Sequence, residues 1–325
     1  MAGKIKKNVL CVFRVKKGIH LGSYLGTVKN LKYLANSNIL YICIADTVSF
    51  LEKDLIFSNN AKTNFESITS TLLASGLDAS NTKIFRLSKI RQIFDIAWIL
   101  GCPLKIGNKN LIQLYSKLLY SAVIQAIQPT HLFIGTTQRD KLLYEETKNV
   151  LLSQIKKKEG KQELFYKEIF STLNEPIKSL QNPENDMGEE ADKTNFKGNI
   201  YLTDGDSTIV KKINRSVTDS EKGISRFSKN GEKRIAMSNL INIFAALRNE
   251  DSKNIESLLR ERKNKKDFKD EISKLVIEQV SPIRKRAFSG FAKTEEFLVE
   301  NEKEISFLAI KQLEILKKCN FIFLI

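Results

Sequence analysis

Val9-Leu10-Cys11-Val12-Phe13 is followed, after the basic turn Lys16-Lys17-Gly18, by Ile19-His20-Leu21-Gly22-Ser23-Tyr24-Leu25-Gly26. An unbroken apolar run of this length reads as a strand buried on both faces. Strand, glycine-bearing turn and helix in that order are the parts of a phosphate-binding α/β unit. Working outward, further buried strands are legible at Ile39 to Ile44, ending at Ala45-Asp46, at Lys83 to Leu87 and at His131 to Ile134, each preceded by a helical stretch. Strands alternating with helices predict an α/β fold with a Rossmann-like, doubly wound parallel sheet whose ligands sit at the strand carboxyl ends.

Between Gln181 and Asn199 the pattern lapses into a polar, acidic loop, and beyond Ile200 it becomes mainly helical. Helices are expected at Ser207 to Asn214, Met237 to Leu247, Asn254 to Arg262, Phe268 to Glu278 and from Thr294 onward. The expected organisation is a nucleotide- and amino-acid-binding domain over 1–180, a loop over 181–199 and a smaller all-helical domain over 200–325.

The chain has 325 residues, 42% of them hydrophobic, enough to bury a full core, and a formal net charge of +16. Such basicity fits a polyanionic partner, because each cation that neutralises a phosphate releases counterions. Lysines loaded onto solvated faces would give the same number. Lys211, Lys212, Arg215, Arg260, Arg262, Lys263, Lys265, Lys266, Arg284, Lys285 and Arg286 fall in the helical half, where they could lie along an RNA backbone. The four cysteines (Cys11, Cys43, Cys102, Cys319) form no CxxC pair and, with His20 and His131, no metal-ligand spacing, so a reducing, cytoplasmic setting without structural zinc or disulfides is expected. No export segment or membrane span is read, and neither DNA nor a membrane is an expected partner. Trp98, among Ala97, Ile99 and Leu100, reads as a core anchor, His131 as a turn residue, and Phe321 to Ile325 as closing the last helix against the body.

Several stretches together resemble bacterial-type tryptophanyl-tRNA synthetases: Gly18 to Gly26, Ile44-Ala45-Asp46, Gly76-Leu77-Asp78, Ala97-Trp98-Ile99-Leu100, Gly135-Thr136-Thr137-Gln138, Ile200 to Asp204, Val217-Thr218-Asp219, Ser238-Asn239-Leu240, Asp267-Phe268-Lys269 and Ser281-Pro282-Ile283-Arg284. Tyrosyl-tRNA synthetases share the fold; Val217-Thr218-Asp219 and Ser238-Asn239-Leu240 look more like the tryptophan branch. The resemblance implies activation of tryptophan by ATP, with Mg2+, its transfer to tRNA, and a homodimer.

The resemblance also assigns site residues. The family's HIGH element corresponds to His20-Leu21-Gly22-Ser23, so Gly18, His20, Gly22 and Ser23, with Gly135 and Gln138, are expected at ATP; Gln138 reads equally as structural. Asp46 faces substrate or caps a helix. The family's KMSKS loop falls on Asp186-Met187-Gly188-Glu189-Glu190, with acids at both lysine positions. Lys193 and Lys197 are the candidate substitutes for those catalytic lysines. The carboxylate that accepts the indole N–H is replaced by Val123, and both carboxylates of the family's Gly-Asp-Asp-Gln are lost. Charge reversal beside a triphosphate opposes pyrophosphate departure, so weak turnover is expected, the alternative being an inactive RNA-binding scaffold.

Overall fold

The computed structural model describes residues 6–14, 18–51, 61–102, 104, 111–154, 165–189, 198–259, 264–289 and 293–320. Its first half runs β1 (Asn8–Phe13), α1 (Leu21–Ser23), a π-helical turn (Tyr24–Val28), α2 (Lys29–Ala35), β2 (Ile39–Ile44), α3 (Asp46–Leu51), α4 (Ala61–Ala74), β3 (Thr82–Arg86), α5 (Arg91–Gly101), α6 (Leu111–Ile127), β4 (His131–Ile134), α7 (Gln138–Gln154) and β5 (Lys167–Phe170). The strands form one parallel sheet in the order β3-β2-β1-β4-β5. The order reverses between β1 and β4, and that switch point opens a crevice at their carboxyl ends. β5 was not legible in the sequence: it is a short edge strand whose residues are exposed or half-buried, so it lacks an apolar run.

The second half is helical: α8 (Asp206–Asn214), α9 (Ile235–Arg248), α10 (Ser252–Leu259), α11 (Lys265–Ser289) and α12 (Thr294–Asn320). α11 passes through Pro282, so it runs well beyond the segment expected from the sequence. α12 returns to the sheet. Its Ile305, Ala309 and Leu313 are buried with Phe85, Ile93 and Leu119, while the other core cluster joins β1 and β2 to Ile209, Leu240 and Ile283 of the helical half. Two layers of apolar side chains therefore cover the two faces of the sheet, as continuous burial of a parallel sheet requires.

Trp98 corrects an expectation. It is 73% exposed, because α5 turns Ile93, Ile96, Ala97 and Leu100 inward and leaves Phe94 and Trp98, one turn apart, on the outer face. His131 opens β4, its Nδ1 lying 2.9 Å from Thr130 Oγ1. The segment Phe321 to Ile325 lies outside the described residues. No helix among the described residues is long and apolar enough to cross a membrane.

Candidate active site

The crevice at the β1/β4 switch point is a cleft lined by both strand ends, by the start of the first helical run, by α6 and α7, and by the 187–189 loop. His20 is extended (φ −91°, ψ 163°) and caps the helical run: Ser23 N–H donates to its Nδ1 (3.2 Å), and Ser23 Oγ lies 2.9 Å from Nε2. An antiparallel strap from the second half fixes this element, with Leu21 N–H donating to Ile200 C=O (2.7 Å) and Leu202 N–H to Ile19 C=O (2.9 Å). In the π-helical turn that follows, Lys29 N–H donates to Tyr24 C=O, and Gly26 C=O accepts from Ser171 Oγ (2.6 Å) and Asn30 Nδ2 (3.2 Å).

The loop is docked onto the imidazole. Met187 is buried in the core. Gly188 has φ +92°, and its N–H donates to Asn199 Oδ1 (3.0 Å); a Cβ there would overlap His20 Nε2. Asp186 does not face the cleft: it is buried, and its carboxylate meets Lys178 Nζ at 2.6 Å. Among the described residues of this loop, the negative charge at the cleft is therefore that of exposed Glu189 at the rim, not of both Asp186 and Glu189.

At the opposite wall, Arg14 Nη2 lies 3.2 Å from Asp140 Oδ1, with side chains 16% and 33% exposed. Thr137 Oγ1 accepts the Asp140 N–H (3.0 Å) at the start of α7. The Cys11 thiol, at the base of the cleft, is pushed up by burial and then by the Asp140 charge. Deeper in, Tyr120, Ile124, Leu143, Tyr144 and Thr147 form the floor. The Tyr144 hydroxyl donates to Glu168, and burial followed by that hydrogen bond raises its pKa.

Residues 17–116 match the family model of class I tRNA synthetases for tryptophan and tyrosine. The tryptophan–tRNA ligase of Helicobacter pylori is 26% identical over 86% of this chain and 88% of its own length. That of Halalkalibacterium halodurans is 26% identical over 90% of both. The crystal structure of tryptophanyl-tRNA synthetase from Mycoplasma pneumoniae superposes with a TM-score of 0.78 at 22% identity, covering 96% of this chain and 97% of that one. The Campylobacter jejuni enzyme complexed with ADP and tryptophan gives 0.68 at 14%, covering 96% and 98%. The chain is therefore similar to tryptophanyl-tRNA synthetases over nearly its whole length and shares their fold.

Against that family's pattern, the structure gathers Gly18, His20, Gly22, Ser23, Gly135, Met187, Gly188 and Glu189 around one cleft. Besides Asp186, it leaves three expected residues off the wall. Asp46 lies at the end of β2, one strand away from the switch point, and caps locally: it accepts Thr47 N–H and Ser88 N–H (both 2.9 Å) and the Ser88 hydroxyl. Val123 is fully buried in the core, while Tyr120 and Ile124, one turn apart on α6, face the cleft. Gln138, the first residue of α7, is exposed, and the next two residues turn inward in its place. Glu190, Lys193 and Lys197 lie outside the described residues.

The sequence reading missed Arg14, Arg139 and Asp140. Arg14 had a usable signal, since it follows the first strand directly and the carboxyl end of that strand is where ligands bind in such folds.

Proposed function

We propose that the protein activates tryptophan with ATP and transfers it to tRNA, with a slow activation step. The observation that carries this is the convergence of the His20 helix start, the docked 187–189 loop and the β4 end on a single cleft at the sheet's switch point. The resemblance to tryptophan–tRNA ligases over nearly the whole chain supports tryptophan as the substrate. Gly22 lies at the helix start against His20; with the Leu21 N–H given to Ile200 and the Ser23 N–H to His20, the His20 imidazole and the positive end of the helical run are what phosphate oxygens would meet there. Glu189 at the rim repels the leaving pyrophosphate where the family has a lysine, which supports slow chemistry. Among the described residues no three carboxylate, imidazole or thiol groups cluster, so magnesium is expected to arrive on the nucleotide phosphates. Tryptophan-dependent incorporation of labelled pyrophosphate into ATP tests this reading, because reversal of adenylate formation needs nucleotide and amino acid in one site.

The tRNA surface is assigned to Lys211 of α8, to Arg215 just after it and to Lys266 and Lys285 of α11, all exposed, the two helices being packed together. Four other cations of that half are used internally: Lys212 binds Asp204 (2.7 Å), Lys265 the Asp219 carbonyl (2.7 Å), Arg284 Asp206 (2.7 Å) and Arg286 the Ala74 carbonyl (2.8 Å). Arg260, Arg262 and Lys263 lie outside the described residues.

The cytoplasm is the proposed location, and a homodimer the working form. Exposed Phe94 and Trp98 on α5, with Leu111 and Tyr115 on the adjoining α6, supply the apolar surface for a second copy. Light scattering is expected to return twice the chain mass, and Trp98→Glu to shift it toward one; a wild-type monomer would remove the dimer. A second reading, a tRNA-binding scaffold without chemistry, draws on one observation: Val123, in the place of the indole acceptor, is buried away from the cleft.

A further inference from the structure

The geometry points to Arg14 and Asp140 as a clamp for the charged head of the amino-acid substrate, Asp140 taking the α-ammonium and Arg14 the α-carboxylate. This assignment rests on the proposed amino-acid-activating function and adds the residues that select a zwitterion. The two side chains come from different elements, the end of β1 and the first turn of α7, and meet at 3.2 Å inside the cleft. Both are held in place. Thr137 Oγ1 fixes the backbone of Asp140 (3.0 Å), and Gly135 leaves the space its carboxylate occupies, because a Cβ at that position would overlap Asp140 Oδ2.

Charge decides which ligand the pair suits. The described lining carries the cations Arg14 and Arg139 and the anions Asp140 and Glu189, so its formal charge is zero. A triphosphate at this wall would meet the Asp140 carboxylate at close range. An amino acid instead presents opposite charges a few ångströms apart, and can lie antiparallel to the pair so that each charge faces its complement. A guanidinium has several N–H donors, so Arg14 can bind a carboxylate without releasing Asp140. The cleft thereby regains one of the two carboxylates lost at Thr136 and Thr137, one helical turn later in the chain.

The test is calorimetric binding of L-tryptophan, tryptamine (no carboxylate) and indole-3-propionate (no ammonium) to the full chain, compared with Asp140→Asn, Arg14→Gln and Arg14→Lys, each checked for folding by circular dichroism. The wild-type protein is expected to prefer tryptophan by about tenfold or more over either analogue, the loss of one charge-assisted hydrogen bond. Asp140→Asn should collapse the preference over indole-3-propionate alone, and Arg14→Gln the preference over tryptamine alone. Arg14→Lys should restore part of the latter, which a purely structural role would not produce. Tryptophan binding with both ratios unchanged in the variants would overturn the clamp and leave the proposed function standing. Absence of wild-type binding for any of the twenty amino acids would overturn both.

Discussion

Replacing Arg86 with methionine is expected to lower the unfolding free energy by about 3–5 kcal/mol, read from urea denaturation. Arg86 is the last residue of β3, 5% exposed, and it ties the sheet to α12. Its Nε donates to Glu302 Oε1 (2.6 Å) and its Nη2 to Glu302 Oε2 (2.9 Å), while Nη1 and Nη2 each reach Glu295 at 3.0 Å. The Arg86 backbone N–H donates to Glu302 as well (3.2 Å), so that carboxylate stays buried against β3 when the guanidinium is removed. An uncompensated buried charge is the costly part, which makes the double change Arg86→Met with Glu302→Leu a control expected to recover most of the loss. A single-substitution cost below about 1 kcal/mol would mean the pair does not clamp α12 to the sheet.

Gly188→Ala is expected to cost about 2–4 kcal/mol, the sum of left-handed backbone strain and overlap with the His20 ring. The two parts separate in a double-mutant cycle. With His20→Ala the overlap vanishes and only the strain at φ +92° remains, so the alanine penalty should fall by about 1 kcal/mol or more. Equal penalties in the two backgrounds would show that the loop does not rest on the imidazole. The same contact places the loop beside His20 at the wall of the cleft.

The sheet was legible because its interior strands are unbroken apolar runs, and Ile39 to Ile44 was read to the residue. What escaped were features whose signal is not local. β5 is an edge strand without an apolar run, and Trp98 has apolar neighbours in sequence yet points outward because the inward stripe of α5 falls on Ile93, Ile96, Ala97 and Leu100. For the cleft, the resemblance to the family's motifs found His20, Gly22 and the 187–189 loop but could not say which way a side chain points. Asp186 was read as facing phosphate, whereas an antiparallel bridge between residues 178 and 186 pairs it with Lys178. Arg14 and Asp140, 126 positions apart, meet only because β1 and β4 are neighbours in the sheet.

The most direct measurement is tryptophan-dependent exchange of labelled pyrophosphate into ATP by the wild-type chain and by Glu189→Lys. Slow but tryptophan-dependent exchange is expected from the wild type. The variant, which removes the rim anion and supplies a cation, should be about tenfold faster, a gain set by solvent screening at an exposed position. No exchange by either protein, under conditions where tRNA still binds, would contradict the enzyme and leave the scaffold.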